Sequence, residues 1–184
     1  VLRLPYQFTD IVAGPQNFVY TTTGKTEKTA TQTGQVAMLN PGGRNVLGAE
    51  DNFGDLYVGS LHRQAQIQDL AGIDVDGDGF FYLIDTTYGR VFWYDKECNL
   101  LSIFGGSFGP GNQKGTFSLA NSIALNGTDV LVGDEQKNSL TVFKITEYGK
   151  LVRDTQVLTL NGMDEQALES WEKVISLDRN NQLA

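Results

Sequence analysis

The chain has 184 residues, 21 of them Gly and only 4 Pro, with a net charge of −8 and a pI near 4.5. That length suits one large domain, or one domain with a small appendage. An acidic chain without a basic stripe argues against a nucleic-acid partner and against docking on anionic headgroups, since both need clustered Lys and Arg. Cys98 stands alone, so no intrachain disulfide forms, and no apolar run approaches the ~20 residues of a membrane span.

One pattern is written three times. A worn copy runs from Asp10 to Leu47, a clear one over residues 72–101 and a third over residues 122–152. Ile11, Ile73 and Ile123 open the copies, and Tyr20, Tyr82 and Leu131 follow eight or nine residues later. Val36, Val91 and Leu140 begin the next apolar run, which closes at Leu39, Tyr94 and Phe143. Such a repeat of short strands and turns marks a propeller or array, because one unit cannot bury its own sheet face.

In the first copy, Thr21 to Thr33 reads as a polar insertion with seven Thr, and its low apolar content predicts a loop or hairpin extension. In the second copy, Ile73 and Val75 alternate with polar neighbours, as a half-buried strand does. The DGDG run at 76–79 predicts a turn. Phe80 to Ile84 is continuously apolar, which predicts a strand buried on both faces. Thr86 to Gly89 turns into a third strand, Val91 to Tyr94, and Lys96 to Asn99 into a fourth, Leu100 to Phe104. The Gly-rich segment 105–117 crosses to the third copy, which has one residue fewer between Ile123 and Leu131.

At the C-terminus the period changes. Ala167, Leu168, Trp171, Val174, Ile175 and Leu177 recur at helical spacing, with Asp164 as the expected N-cap. Gly149 to Leu160 fits either an outer strand in register with the earlier copies or a helix. The chain opens on Val1 in strand-like material and closes on NNQLA, so it reads as a piece of a longer polypeptide.

The second and third copies, GIDVDGDGFFYLIDTTYGRVFWYD and then FGGSFGPGNQKGTFSLANSIALNG, resemble NHL repeats over residues 70–147. The resemblance implies β-propeller blades of four antiparallel strands. The third copy departs from it in lacking a counterpart of Arg90. The tail resembles the second half of a tetratricopeptide repeat, with Gly162 at the turn, Ala167 at the small packing position and Trp171 as the large aromatic. DRNNQLA matches the exit of that repeat, with Arg179 where proline is common. This second resemblance favours a helix at about 147–160 and hence a helical hairpin. Propeller and helices joined through TEYGKL together look like a family of Gram-positive surface proteins that also carry a membrane domain. That implies a cell-surface, membrane-anchored parent protein.

Few residues suggest chemistry. Asp74, Asp76 and Asp78 with Gly79 spell the start of a calcium loop, D-x-D-x-D-G. Its ninth position is Tyr82 and its twelfth is Asp85, so it offers too few carboxylates, and strands flank it. A hairpin turn with solvated aspartates is the expectation, and metal binding there stays open. Asp85 and Arg90 flank the second turn, as a catalytic acid and an electrophile would. In a blade such residues more often tie a turn to the backbone. Asp134 and Asn138 are the weaker equivalent. His62 is the only histidine and is expected on an exposed loop, and Cys98 sits in KECN with no base beside it. Phe80, Phe81, Tyr82, Phe92, Trp93 and Tyr94 are expected between blades, not around a ligand.

The expected fold is mainly β, a partial NHL-type propeller of about three blades over residues 1–146, followed by a helical hairpin over 147–184. The expected role is non-enzymatic binding or scaffolding, with no catalytic residue and no cofactor. The alternative is a lactonase- or lyase-like enzyme whose metal site is completed by further blades. Three blades are also expected to leave two outer faces bare, to be covered by a second copy or by missing blades.

Overall fold

The computed structural model describes residues 8–23, 35–47, 53–54, 68–107, 113–181 and 183. In it the three copies become three antiparallel sheets. The first holds β1 (Phe8–Ala13), β2 (Val19–Thr23) and β3 (Val36–Leu39). The second holds β4 (Leu70–Val75), β5 (Phe81–Asp85), β6 (Arg90–Tyr94) and β7 (Leu100–Gly105). The third holds β8 (Ala120–Asn126), β9 (Asp129–Asp134) and β10 (Ser139–Phe143). Each is a meander in which sequential strands pair.

The copies superpose in register as well as in sequence. Ile11 pairs with Thr21, Ile73 with Leu83 and Ile123 with Val132. The first pairing of each sheet slips at the same place, between Phe8 and Asp10, Leu70 and Gly72, and Ala120 and Ser122. A bulge repeated in three sheets belongs to the design of the blade.

Turn chemistry sets these meanders. Between β4 and β5, the Asp76 Oδ1 accepts the N–H of Asp78 at 2.9 Å and of Phe80 at 3.0 Å, while Gly79 takes φ +89°. An Asx turn closed by a residue in the left-handed region favours Gly at that last position. Between β6 and β7, Asp95 accepts from Glu97 and Asn99, and Cys98 takes φ +69°.

The sheets then pack face to face. Along β5, alternate side chains serve the two neighbours. Phe81 and Leu83 join Tyr20, Val36, Phe53, Ile73, Phe92 and Tyr94 in one buried cluster against the first sheet. On the opposite face Tyr82 stacks on Trp93 at 5.7 Å. The joint with the third sheet is closed farther out by Phe104 against Phe143, with ring centroids 4.9 Å apart. The six aromatics expected between blades are all buried, although Phe80 precedes its strand instead of opening it. The inner strand of each following sheet lies on the inner two of the preceding one: β4 on β1 and β2, β8 on β4 and β5. The described residues between 8 and 143 therefore form three consecutive blades of a β-propeller.

Two expectations need correction here. Thr21, Thr22 and Thr23 are not loop but the buried end of β2. β-Branched side chains suit a pleated surface, and packing against neighbouring sheets overrides their polarity. The remainder of the expected insertion, 24–33, lies outside the described residues, as does His62. Nor is the outer face of the first blade bare throughout. Thr21, Thr23, Ala37 and Leu39, which point away from the second blade, are already buried.

The chain divides into two compact units, Val1–Phe143 and Lys144–Ala184. The second unit is a helical hairpin of α1 (Glu147–Leu160) and α2 (Asp164–Leu177). Thr146 caps α1, its Oγ1 accepting the Gly149 N–H at 3.0 Å. This cap resolves Gly149 to Leu160 as helix, so the third blade takes no outer strand from that segment. Gly162 makes the turn at φ +70°. The expected N-cap, Asp164, is instead the first helical residue after Met163. There Asp164 and Glu165 face the positive end of the helix dipole. Val152 and Thr155 of α1 and Ala167 and Val174 of α2 are buried, the hydroxyls of Thr155 and Ser170 share a hydrogen bond, and Trp171 Nε1 donates to Thr159 Oγ1 at 2.9 Å. Leu168, Ile175 and Leu177 of the helical stripe remain exposed.

Candidate functional site

The candidate residues concentrate at blade turns, so the carboxylates there decide what the chain can do. Asp85, at the end of β5, is fully buried and accepts three donors: Asp69 N at 3.1 Å, Thr87 N at 3.0 Å and Arg90 Nη2 at 3.0 Å. Arg90 is held in turn by ring faces, its Cζ 4.8 Å from the Tyr88 centroid and 5.2 Å from that of Phe92. The pair therefore clamps the β5–β6 turn to the entry of β4.

Asp134 occupies the same place in the third blade, paired with Ala120 as Asp85 is with Leu70. It accepts from Ser118 N at 2.6 Å, Leu119 N at 3.2 Å and Lys137 N at 3.0 Å. Burial works to raise the pKa of its carboxyl. The three N–H groups and the Lys137 charge outweigh it and hold the group below its ordinary value. Ser139 stands where Arg90 stands in the second blade. Asn138 contributes a backbone turn at φ +48° and donates its N–H to Glu135 O.

The three aspartates of the calcium-like loop are sent to different tasks. Asp74 points across the joint between blades, its Oδ2 accepting the Leu125 N–H of β8 at 2.7 Å. Asp76 closes its own turn, and Asp78 lies on the exposed tip. Among the described residues no three His, Cys, Asp or Glu side chains gather as a metal site. Cys98 packs, half-buried, against the cluster between the first two blades.

Three structural residues escaped the sequence reading. Asp10 does for the first joint what Asp74 does for the second, accepting the Ile73 N–H at 3.0 Å. Gln35 bridges the same joint twice, donating to Gln68 O at 2.9 Å and accepting Leu70 N–H at 2.8 Å. Asp95 holds Glu97 and Asn99 at its turn. Its Asp-x-x-x-Asn spacing was a usable signal for a side-chain-closed turn. Gln35 offered none, because its partners lie 33 and 35 residues away.

Two buried phenols sit beside these joints. Tyr94 accepts the Gly54 N–H at 2.7 Å. Burial pushes its pKa up to about 12, with the Gly54 N–H pulling it down and the Cys98 charge adding to the rise. Tyr20 is raised as well, by burial first and then by Cys98 and Asp76. A phenol raised in the fold contributes stability that is whole below its unfolded pKa of about 10. That contribution is lost as the pH rises through the folded value. Ultraviolet titration should therefore show part of the 7 tyrosines ionising only together with unfolding. Reversible ionisation of them all near pH ~10, with the far-ultraviolet signal intact, would contradict this.

No family model matches the chain, and no curated protein matches it. Among the solved structures similar to it are two of virginiamycin B lyase from Staphylococcus aureus. One is a catalytically inactive variant with quinupristin, at 12% identity and a TM-score of 0.41, over 81% of this chain. The other is the selenomethionine-substituted enzyme, at 10% identity and a TM-score of 0.40, over 77% of this chain. This chain spans 45% and 42% of the length of those two proteins.

Proposed function

We propose that this chain is a recognition or scaffolding module with no chemistry of its own. Its blades are of the NHL type and its helical hairpin opens a tetratricopeptide-like array. In this reading a longer, membrane-anchored protein carries both at a bacterial cell surface, where they bind a protein or a small molecule. The supporting observation is the fate of the turn carboxylates. Asp76, Asp85, Asp95 and Asp134 each hold at least two backbone N–H groups. Oxygens spent in this way are poor metal ligands and poor bases, because each lost bond would leave a polar group of the turn unpaired.

The competing lactonase- or lyase-like reading requires acidic, Asn or His ligands converging on one point. Asp76, Asp85, Asp95 and Asp134 are each tied to a separate turn. The deciding experiment incubates the purified chain with a panel of lactones and esters, with and without chelator. Turnover equal to buffer is expected. Turnover above buffer that the chelator removes would overturn the proposal.

A further inference from the structure

The second and third blades close the turn between their first two strands differently. In the second, the Asp76 carboxylate is spent on the N–H groups of Asp78 and Phe80. In the third, the same place between β8 and β9 reads Asn126, Gly127, Thr128. Asn126 pairs with Asp129, so two residues make the turn, and Gly127 opens it at φ +63°. All three residues are exposed, and nothing lies within 4 Å of the point where a Gly127 side chain would begin. Among the described residues neither the Asn126 side-chain amide nor the Gly127 N–H has a hydrogen-bond partner.

The amide nitrogen after an asparagine can reach that residue's Cγ, and a glycine puts no side chain in the way. We propose that Asn126 is a self-modifying site, where the chain turns an amide into a carboxylate with water as the only reagent. Gly127 N gives its proton to a solvent base and attacks Asn126 Cγ. The new C–N bond closes a cyclic imide, the Cγ–Nδ2 bond breaks, and ammonia leaves with a proton from water. Water then opens the imide. Cleavage between Cγ and Gly127 N leaves aspartate. Cleavage between the Asn126 backbone carbonyl carbon and that nitrogen leaves isoaspartate, with the main chain running through the former side chain. The same dipeptide stands between α1 and α2 as Asn161 and Gly162. There the nucleophile is already spent, because Gly162 N donates to Thr159 O at 3.0 Å. Isoaspartate at 126 would add a carbon to the main chain at the turn and a negative charge opposite Asp129. A two-residue turn sets the register of its strands, so the end of the hairpin would open. The neighbouring Leu125 N–H is the one that Asp74 holds at 2.7 Å, so the change reaches the tie between the second and third blades.

Ageing the folded 184-residue chain at mildly alkaline pH tests this. Peptide mapping by mass spectrometry, with an isoaspartyl-specific methyltransferase labelling the product, reads each site. Asn126 is expected to convert roughly fivefold faster than Asn161, the factor that about 1 kcal/mol of hydrogen bonding at Gly162 N corresponds to. In urea, where both sites are unfolded, that difference should vanish. Equal rates in the folded chain, or faster conversion at Asn161, would overturn the proposal. An Asn126 that converts in urea but stays intact in the folded chain would do the same. Asn126→Gln must close a larger ring, so it should remove the early product with the circular dichroism unchanged. Early product persisting in that variant would place the reaction elsewhere and sink the assignment. In the aged chain the Leu125 amide should exchange faster, while the Ile73 amide, held by Asp10 in the first joint, keeps its protection. Unchanged protection at Leu125 would show that the modification does not reach the joint.

Discussion

Asp85→Ala should destabilise the propeller unit by about 3–5 kcal/mol, the range for removing one partner of a buried ion pair. The loss has two sources. Arg90 is left without the carboxylate at 3.0 Å, and the N–H groups of Asp69 and Thr87 lose their acceptor. Asp85→Asn should cost less, because an amide oxygen can still accept from the backbone. Urea unfolding followed by Trp93 fluorescence, in a Trp171→Phe background, reads the effect from the second blade alone. A loss under about 1 kcal/mol would mean that the clamp behaves as a surface ion pair.

Phe81→Ala should be comparably severe, about 3–5 kcal/mol, from lost burial and the cavity left behind. Phe81 touches the rings of Tyr20, Phe53 and Tyr94, with centroids 5.6, 5.9 and 5.2 Å away. Those rings come from three separate stretches of chain, so the cavity opens where the first two blades join. The expected signature is lowered stability with early loss of the first blade. Hydrogen exchange should show the amides of β1 to β3 deprotected before those of β5 and β6. Uniform deprotection across all three blades would argue that the joint does not depend on this ring.

The same period-two grammar explains what was legible in the sequence. The equivalences of Ile11, Ile73 and Ile123, and of Val36, Val91 and Leu140, recur as register partners because strands and their Gly- and Asp-closed turns are local. Thr21 to Thr23 were misread because composition favoured a loop, while their burial is imposed by sheets distant in the chain. Gly149 to Leu160 fits either a strand or a helix because its apolar residues satisfy both periods, and one hydroxyl, that of Thr146, marks the helix start. Among the candidate site residues, the turn-tying roles of Asp85 and Asp134 were legible from position. The cross-joint role of Asp74 was not. Its partner Leu125 is 51 residues away, and the calcium-like spelling drew attention to its own loop.

The ties across the joints bear on how such a chain changes over generations. Asp10 reaches Ile73, and Asp74 reaches Leu125. Acceptor and donor have both slid two residues along their strands between the first joint and the second. Two residues is the smallest slide that returns a side chain to the same face of a strand. Among the described residues no backbone ladder runs from blade to blade, so a sheet keeps its own hydrogen bonds whatever stands beside it. A duplicated or deleted blade would then disturb no register. Beyond an apolar face to pack, one acidic side chain on a correct face would add a polar tie to its new neighbour, and ancestry can supply that by a single codon.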